Sequence, residues 1–310
     1  MSSSDKVVFE EDERVSFFSE MKKKIDASVQ RKFLRKKRQV FNNIDLRKQM
    51  VVFADDHVSN EVLCHGVFEK KQLDLIFKWM AKKEGVFNTT VLDIGANIGN
   101  HSLSFAEHYD KCISFEPNPR TYSVLKLNSE LVSNIHPKNI GLSDHKGELP
   151  LFTDFKNVGA SSLRQEWNKS IDSSCVVPLD TLDNVIASNE RIGLIKIDVE
   201  GYEWFVLKGG EKTIRREKPI ILFEHKLESM VSEAVSEDVI SLLQQFGYTD
   251  FYEISEGRDI WEKSLKTSSK YIRPLFQLWF YVKVRKFVHR IVKIQSFDKK
   301  EYDVIIACRE

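Results

Sequence analysis

Asp198 and Glu200 follow the apolar run Leu194-Ile195-Lys196-Ile197, and Glu224 and His225 follow a second one, Pro219-Ile220-Ile221-Leu222-Phe223. Read as parallel strands, both runs deliver their polar residues to the carboxyl edge of a sheet, where open α/β folds bind ligands. Two acids and a lysine are hard to explain as core in so apolar a strand, because buried charge must be compensated. Proton acceptance is the chemistry they offer. An imidazole titrates near neutral pH, and carboxylates do the same when desolvated, or else hold a divalent ion through oxygen. His225 and Asp198 are the first candidates for a general base, Glu200 and Glu224 follow, and Asp198 with Glu200 are candidate metal ligands.

These groups need a strand-and-loop frame, and the stretch Thr90-Val91-Leu92-Asp93-Ile94-Gly95-Ala96-Asn97-Ile98-Gly99-Asn100-His101 supplies it. A short apolar run stops at a carboxylate, turns through Gly95 and Gly99, and enters a helix expected from Ile98 to about His108, whose free amides point at a ligand. The next unit, Cys112-Ile113-Ser114-Phe115, ends in Glu116, roughly 20 residues on, from where a carboxylate accepts both ribose hydroxyls of an adenosine. The second glycine of a dinucleotide fingerprint is absent, and Asp93 would repel a pyrophosphate while suiting an ammonium and a sulfonium. S-adenosylmethionine is therefore favoured over NAD. His101, in the first helical turn, is a candidate for the cofactor's carboxylate.

Asp93-Ile94-Gly95-Ala96-Asn97-Ile98-Gly99-Asn100, Phe115-Glu116-Pro117-Asn118-Pro119, Gly141-Leu142-Ser143-Asp144, Thr181-Leu182-Asp183 and Lys196-Ile197-Asp198-Val199-Glu200-Gly201 together resemble the successive motifs of the FkbM-type methyltransferases. The likeness runs over residues 61–252. It implies a class I, Rossmann-like α/β fold: a seven-stranded, mostly parallel sheet with its last strand antiparallel and helices on both faces. It also implies methyl transfer to a hydroxyl, often on a sugar or natural product, with Ala96, Asn97, Asn100, Pro117 and Asn118 among the cofactor contacts. Ser143 and Asp144 would flank the adenine, with an Asx turn as the lesser alternative for Asp144. Gly66-Val67-Phe68-Glu69 is similar to the segment that covers the cofactor in this family, which makes Glu69 a further candidate; a carboxylate at a helix N-terminus explains it as well.

With 310 residues there is length for one large α/β domain with additions. A formal net charge of +1 gives no reason to expect nucleic acid. Cys64, Cys112, Cys175 and Cys308 show neither zinc spacing nor a disulfide framework. The start of the chain lacks the apolar core of a signal peptide, so a cytoplasmic location is the expectation. The sequence carries no signature of an oligomeric state.

Residues 1–50 read as a charged helical segment and 51–310 as the methyltransferase domain, with its core at 88–254 and 302–308. A helix is expected from about Lys70 to Lys83, and a third strand near Ile135 to Leu142 whose Pro137 places it at the sheet edge. Ser161 and Ser162, in a polar loop, are candidates for the acceptor pocket. Residues 255–301 form a long insertion before the final strand, Tyr302 to Ala307. At about 100° per residue, Phe280, Val284, Phe287, Ile291 and Ile294 share one helical face and Lys283, Lys286, Arg290 and Lys293 the other, which fits a helix lying on the inner face of a membrane through 276–294, or packed on the domain or on a second subunit. The leading expectation is an O-methyltransferase for a glycan or glycolipid hydroxyl. An NAD-dependent oxidoreductase and a non-catalytic methyltransferase-like module are the alternatives.

Overall fold

The computed structural model describes residues 50–54, 56–153, 173–225, 239–256, 289–297 and 302–309. Residues 1–49, residues 154–172 with Ser161 and Ser162, and residues 257–288 lie outside the described residues.

Helices α1 (His57–His65) and α2 (Lys70–Met80) lead into β1 (Thr90–Ile94), α3 (Asn100–Ala106), β2 (Lys111–Phe115), α4 (Pro119–Ser129) and β3 (Ile135–Lys138). Strands β4 (Gly141–Leu142), β5 (Gly147–Thr153) and β6 (Ser173–Asp180) follow, then α5 (Leu182–Val185), β7 (Ile192–Ile197), α6 (Glu203–Gly209), α7 (Glu211–Glu217) and β8 (Ile220–His225). Helix α8 (Val239–Gln245) and strands β9 (Asp250–Glu256), β10 (His289–Lys293) and β11 (Tyr302–Cys308) complete the described elements.

Eight strands form the main sheet in the order β10-β9-β11-β8-β7-β1-β2-β3. The five from β8 to β3 are parallel, and β11 inserts antiparallel between β8 and β9. This is the class I methyltransferase plan, an α/β sheet whose last strand runs against its neighbours. All five residues of β1 are buried, as expected of a central strand covered on both faces. One face packs Ile94, Phe115, Leu142, Tyr202 and Phe223, and the other packs Leu73, Ile76, Phe105, Leu194 and Leu222 against α2 and α3.

Four expectations need correcting. The main sheet has eight strands rather than seven, because His289–Lys293 pairs antiparallel with β9 as an edge strand. Arg290 to Ile294 therefore leave the helix drawn for the insertion. Ile291 and Val292 are β-branched, the mixed apolar and basic pattern reads at either period, and the open edge of β9 decides for the strand. The stretch from Ile135 to Leu142 is two strands, not one. Pro137 does sit on an edge strand, but Gly141–Leu142 belongs to a separate three-stranded sheet of order β4-β6-β5. The loop helix spans Asn100–Ala106, shorter at both ends than expected. Finally, α1 was not anticipated. Its apolar pattern is weak, yet its ends are marked: Asp56 accepts from the Ser59 amide at 2.9 Å, and Gly66 closes it at φ 85°. No helix among the described residues is long and apolar enough to cross a membrane.

Candidate functional site

Strands β1 and β7 are neighbours, with Asp93 opposite Lys196 and Ile94 opposite Ile197, so the turn after β1 and the acids after β7 emerge side by side. The turn is set by backbone conformation. Gly95 lies at φ 77°, Asn97 at φ 50° and Gly99 at φ 89°. A Cβ on Gly95 would lie 1.8 Å from the Asp198 carbonyl oxygen, and one on Gly99 would lie 2.8 Å from Leu125. Glycine is required at Gly95 for two reasons at once, conformation and approach.

Beside this turn lies a cleft of about 650 Å³, including its open mouth, lined by Gly95, Asn97, Phe115, Glu116, Ile140, Leu142, Asp198 and Tyr202 among others. The Glu116 carboxylate accepts from the amides of Asn97 at 3.0 Å and Asn118 at 2.9 Å. Burial nevertheless dominates: it pushes the Glu116 carboxyl up to about 7, against the lowering effect of those two amides. Asn97 Oδ1 is buried with no hydrogen-bond partner among the described residues, an acceptor left over for a ligand's donor. Tyr202 lines the same cleft, and its hydroxyl is 3.1 Å from Ser143 Oγ.

A second cavity, of about 430 Å³ with its open part, lies under α2 on the other face of the sheet. Asp198 lines both cavities. In the second it is joined by Glu69, Gln72, His101, Lys196 and Glu224. Carboxylate oxygens of Asp198, Glu200 and Glu224 lie within 4.8 Å of one another. His225 ends β8 directly after Glu224, and register pairs it with Tyr302.

Asp93 and Lys196 form the buried base of this edge. Asp93 is fully buried and lines neither cavity: Ser102 Oγ donates to its Oδ2 at 2.6 Å, and Lys196 Nζ is 3.4 Å from its Oδ1 without hydrogen-bond alignment. Lys196 also pairs with Asp198 at 3.1 Å and donates to the Gly95 carbonyl at 3.1 Å. Burial alone would lower the Lys196 ammonium, but Asp198 and Asp93 outweigh it and hold it above the ordinary lysine range. Lys196 is the site residue that sequence reasoning left without a role. Its signal was present, a single cation inside an apolar strand.

The expected site residues thus separate. Gly95, Asn97, Glu116, Pro117 and Asp198 line the first cavity, and Glu69, His101, Asp198 and Glu224 the second. Ala96, Gly99, Asn100 and Asn118 shape backbone instead. Asn100 holds Phe68 by accepting from its amide at 2.9 Å and donating to its carbonyl at 3.2 Å, while Asn118 caps α4. Ser143 is buried and Asp144 exposed, the latter 2.7 Å from His145 Nδ1; neither lines either of these two cavities. Glu69, at φ 57°, is the N-cap residue of α2 and makes no side-chain capping bond, so the helix N-terminal explanation rests on its charge alone. It lies 3.2 Å from His101 Nε2, out of line for a hydrogen bond.

Residues 93–249 match the model of the methyltransferase FkbM domain, and they hold both the turn and the acid edge. The chain belongs to the FkbM methyltransferase family. It is 34% identical over 157 residues to methyltransferase sdnD of Sordaria araneosa, an alignment covering 39% of this chain and 60% of that protein. It is 28% identical over 136 residues to the hexuronic acid methyltransferase AglP of Haloferax volcanii, covering 43% and 54%. It is 25% identical over 177 residues to the 2-O-methyltransferase NoeI of Sinorhizobium fredii, covering 50% and 71%. The chain thus spans little more than half the length of the first two relatives.

Proposed function

We propose that this chain is an S-adenosylmethionine-dependent O-methyltransferase acting on a hydroxyl of a sugar, polysaccharide or glycolipid-type acceptor. One observation carries the reading: the cleft that holds Glu116 and Asn97 meets a carboxylate-lined cavity at Asp198. The names of AglP and NoeI, a hexuronic acid methyltransferase and a 2-O-methyltransferase, support a hydroxyl acceptor.

Glu116 would accept the ribose hydroxyls, Asn97 Oδ1 would take one further donor, and Phe115, Ile140, Leu142 and Tyr202 would enclose the base. Bound there, S-adenosylmethionine supplies an electrophilic methyl group on a cationic sulfonium. The acid edge favours that positive charge and repels a pyrophosphate, which weighs against NAD. Asp198, Glu200 and Glu224, with His225 beside them in sequence, are the groups available to take the proton from an attacking hydroxyl. Holding that hydroxyl in line would contribute much of the rate. The same three carboxylates are an oxygen donor set of the kind a divalent ion uses. Lys196, 3.1 Å from Asp198, already supplies a counter-charge at this edge, and the reading needs no metal.

Titration calorimetry with S-adenosylhomocysteine tests the proposal. Binding at micromolar strength, about 8 kcal/mol, with NADH silent, is the expected result. The Glu116→Ala variant should weaken it by about 100-fold in protein that still folds, with a stability loss of about 1–3 kcal/mol because the Asn97 and Asn118 amides lose their acceptor. Binding of NADH alone, or no binding by folded protein, would overturn the reading. The pH dependence has a defined sign. Glu116 holds a proton up to about 7, and the ribose hydroxyls need its ionised form, so affinity should fall as pH drops below about 7, by up to about tenfold per unit. A flat profile between about pH 5.5 and 8 would remove Glu116 from the site.

A further inference from the structure

The second cavity has two kinds of wall. Leu73, Ile76, Phe105, Leu222 and Phe223 are buried, while Glu69, Gln72, His101, Asp198 and Glu224 are half-buried. Lys196, also buried, is the charged group set deep among them, so the floor is mainly apolar and the rim polar. A site that took only a free sugar would place polar groups deep, to replace the water around every ring hydroxyl. Here the deep polar groups are few: the Lys196 ammonium is already taken up by Asp198, Asp93 and the Gly95 carbonyl, and His101 Nε2 stands beside Glu69, so the apolar walls are what an apolar part of a ligand fills.

Resting on the methyltransferase reading above, we propose that the acceptor is an amphiphile: its reactive hydroxyl sits at the Asp198–Glu224 rim, and an apolar chain or ring attached to it fills the cavity between α2 and the ends of β7 and β8. The cofactor cleft lies on the opposite face of the sheet and shares Asp198 with this cavity, so the two ligands meet at the acid edge without competing for one space. Val304 of β11, half-buried, forms part of the far wall. It gives a place to narrow the cavity without disturbing Asp198 or Glu224.

The test uses the full chain saturated with S-adenosylhomocysteine, and octyl glucoside below its micelle-forming concentration as probe, against glucose at the same concentration. Calorimetry or saturation-transfer NMR should detect octyl glucoside binding at least about tenfold tighter than glucose, since an octyl chain placed on an apolar floor leaves water. Val304→Phe, which narrows the cavity, and Ile76→Asn, which puts an amide on its floor, should each weaken octyl glucoside about tenfold with S-adenosylhomocysteine affinity unchanged. If Ile76→Asn fails to fold, Val304→Phe alone decides. Equal affinity for glucose and octyl glucoside, or indifference to Val304→Phe, would overturn the proposal. So would displacement of octyl glucoside by S-adenosylhomocysteine, which would assign the cavity to the cofactor. Failure of S-adenosylhomocysteine to bind folded protein would remove the methyltransferase reading and this inference together, whereas good cofactor binding with no preference for the octyl chain removes this inference alone.

Discussion

Replacing Lys196 with methionine is expected to lower the free energy of unfolding by about 3–5 kcal/mol at neutral pH and to weaken cofactor binding with it. The lysine is 9% exposed and is the counter-ion for Asp93, which has no exposed surface, as well as for Asp198. Methionine keeps most of the volume and removes the charge, so Asp93 is left as a buried carboxylate supported mainly by the Ser102 hydroxyl. The penalty belongs to the orphaned charge rather than to lost packing. Acidification, which protonates the unpaired carboxylate, should therefore shrink the difference between variant and parent. The double variant Asp93→Asn with Lys196→Met should likewise recover part of the loss at neutral pH. Urea unfolding at about pH 5 and pH 8 checks both points. An equal deficit at the two pH values would show that Lys196 acts through packing alone.

The Gly95→Ala variant should abolish S-adenosylhomocysteine binding and cost roughly 2–4 kcal/mol of stability. Two effects coincide there, a φ of 77° and a methyl carbon 1.8 Å from the Asp198 carbonyl oxygen, so the end of β7 and its acids must shift. Gly85 separates them. It lies at φ 72°, and a Cβ placed on it would meet nothing within 4 Å, so Gly85→Ala carries the conformational term alone, about 1 kcal/mol, and should leave cofactor binding intact. If the two variants behaved alike in unfolding and titration, the close approach of β1 and β7 would have no part in the site.

Much of this arrangement was legible in the sequence. Short apolar runs ending in Asp93, Glu116, Asp198 and Glu224 specify parallel strands and the edge at which their acids gather, because burial on both faces leaves a near-continuous apolar string. Pro137 announced an edge strand because it lacks an amide to donate. What stayed hidden depended on distance in the chain. Asp93 reads as a ligand-facing carboxylate, yet it is taken up by Lys196 and Ser102, residues that only tertiary packing brings to it. The Glu69–His101 contact and the separation into two cavities arise in the same way. Arg290 to Lys293 carried an ambiguous period, and the free edge of β9 chose strand over helix.

Strand β11 separates β8 from β9, although both precede it in the chain, and residues 257–301 stand between β9 and β11. The two earlier strands cannot zip together as they are made; both must wait for β11, which comes later in the chain, and pairing at such sequence separation is slow for entropic reasons. Until then β8 keeps one unpaired edge, the one against which Ile305, Ile306 and Ala307 will later register. Glu224 rides on that strand, so the acid edge becomes rigid late, and a nascent chain halted before β11 exposes a sticky apolar seam to its neighbours.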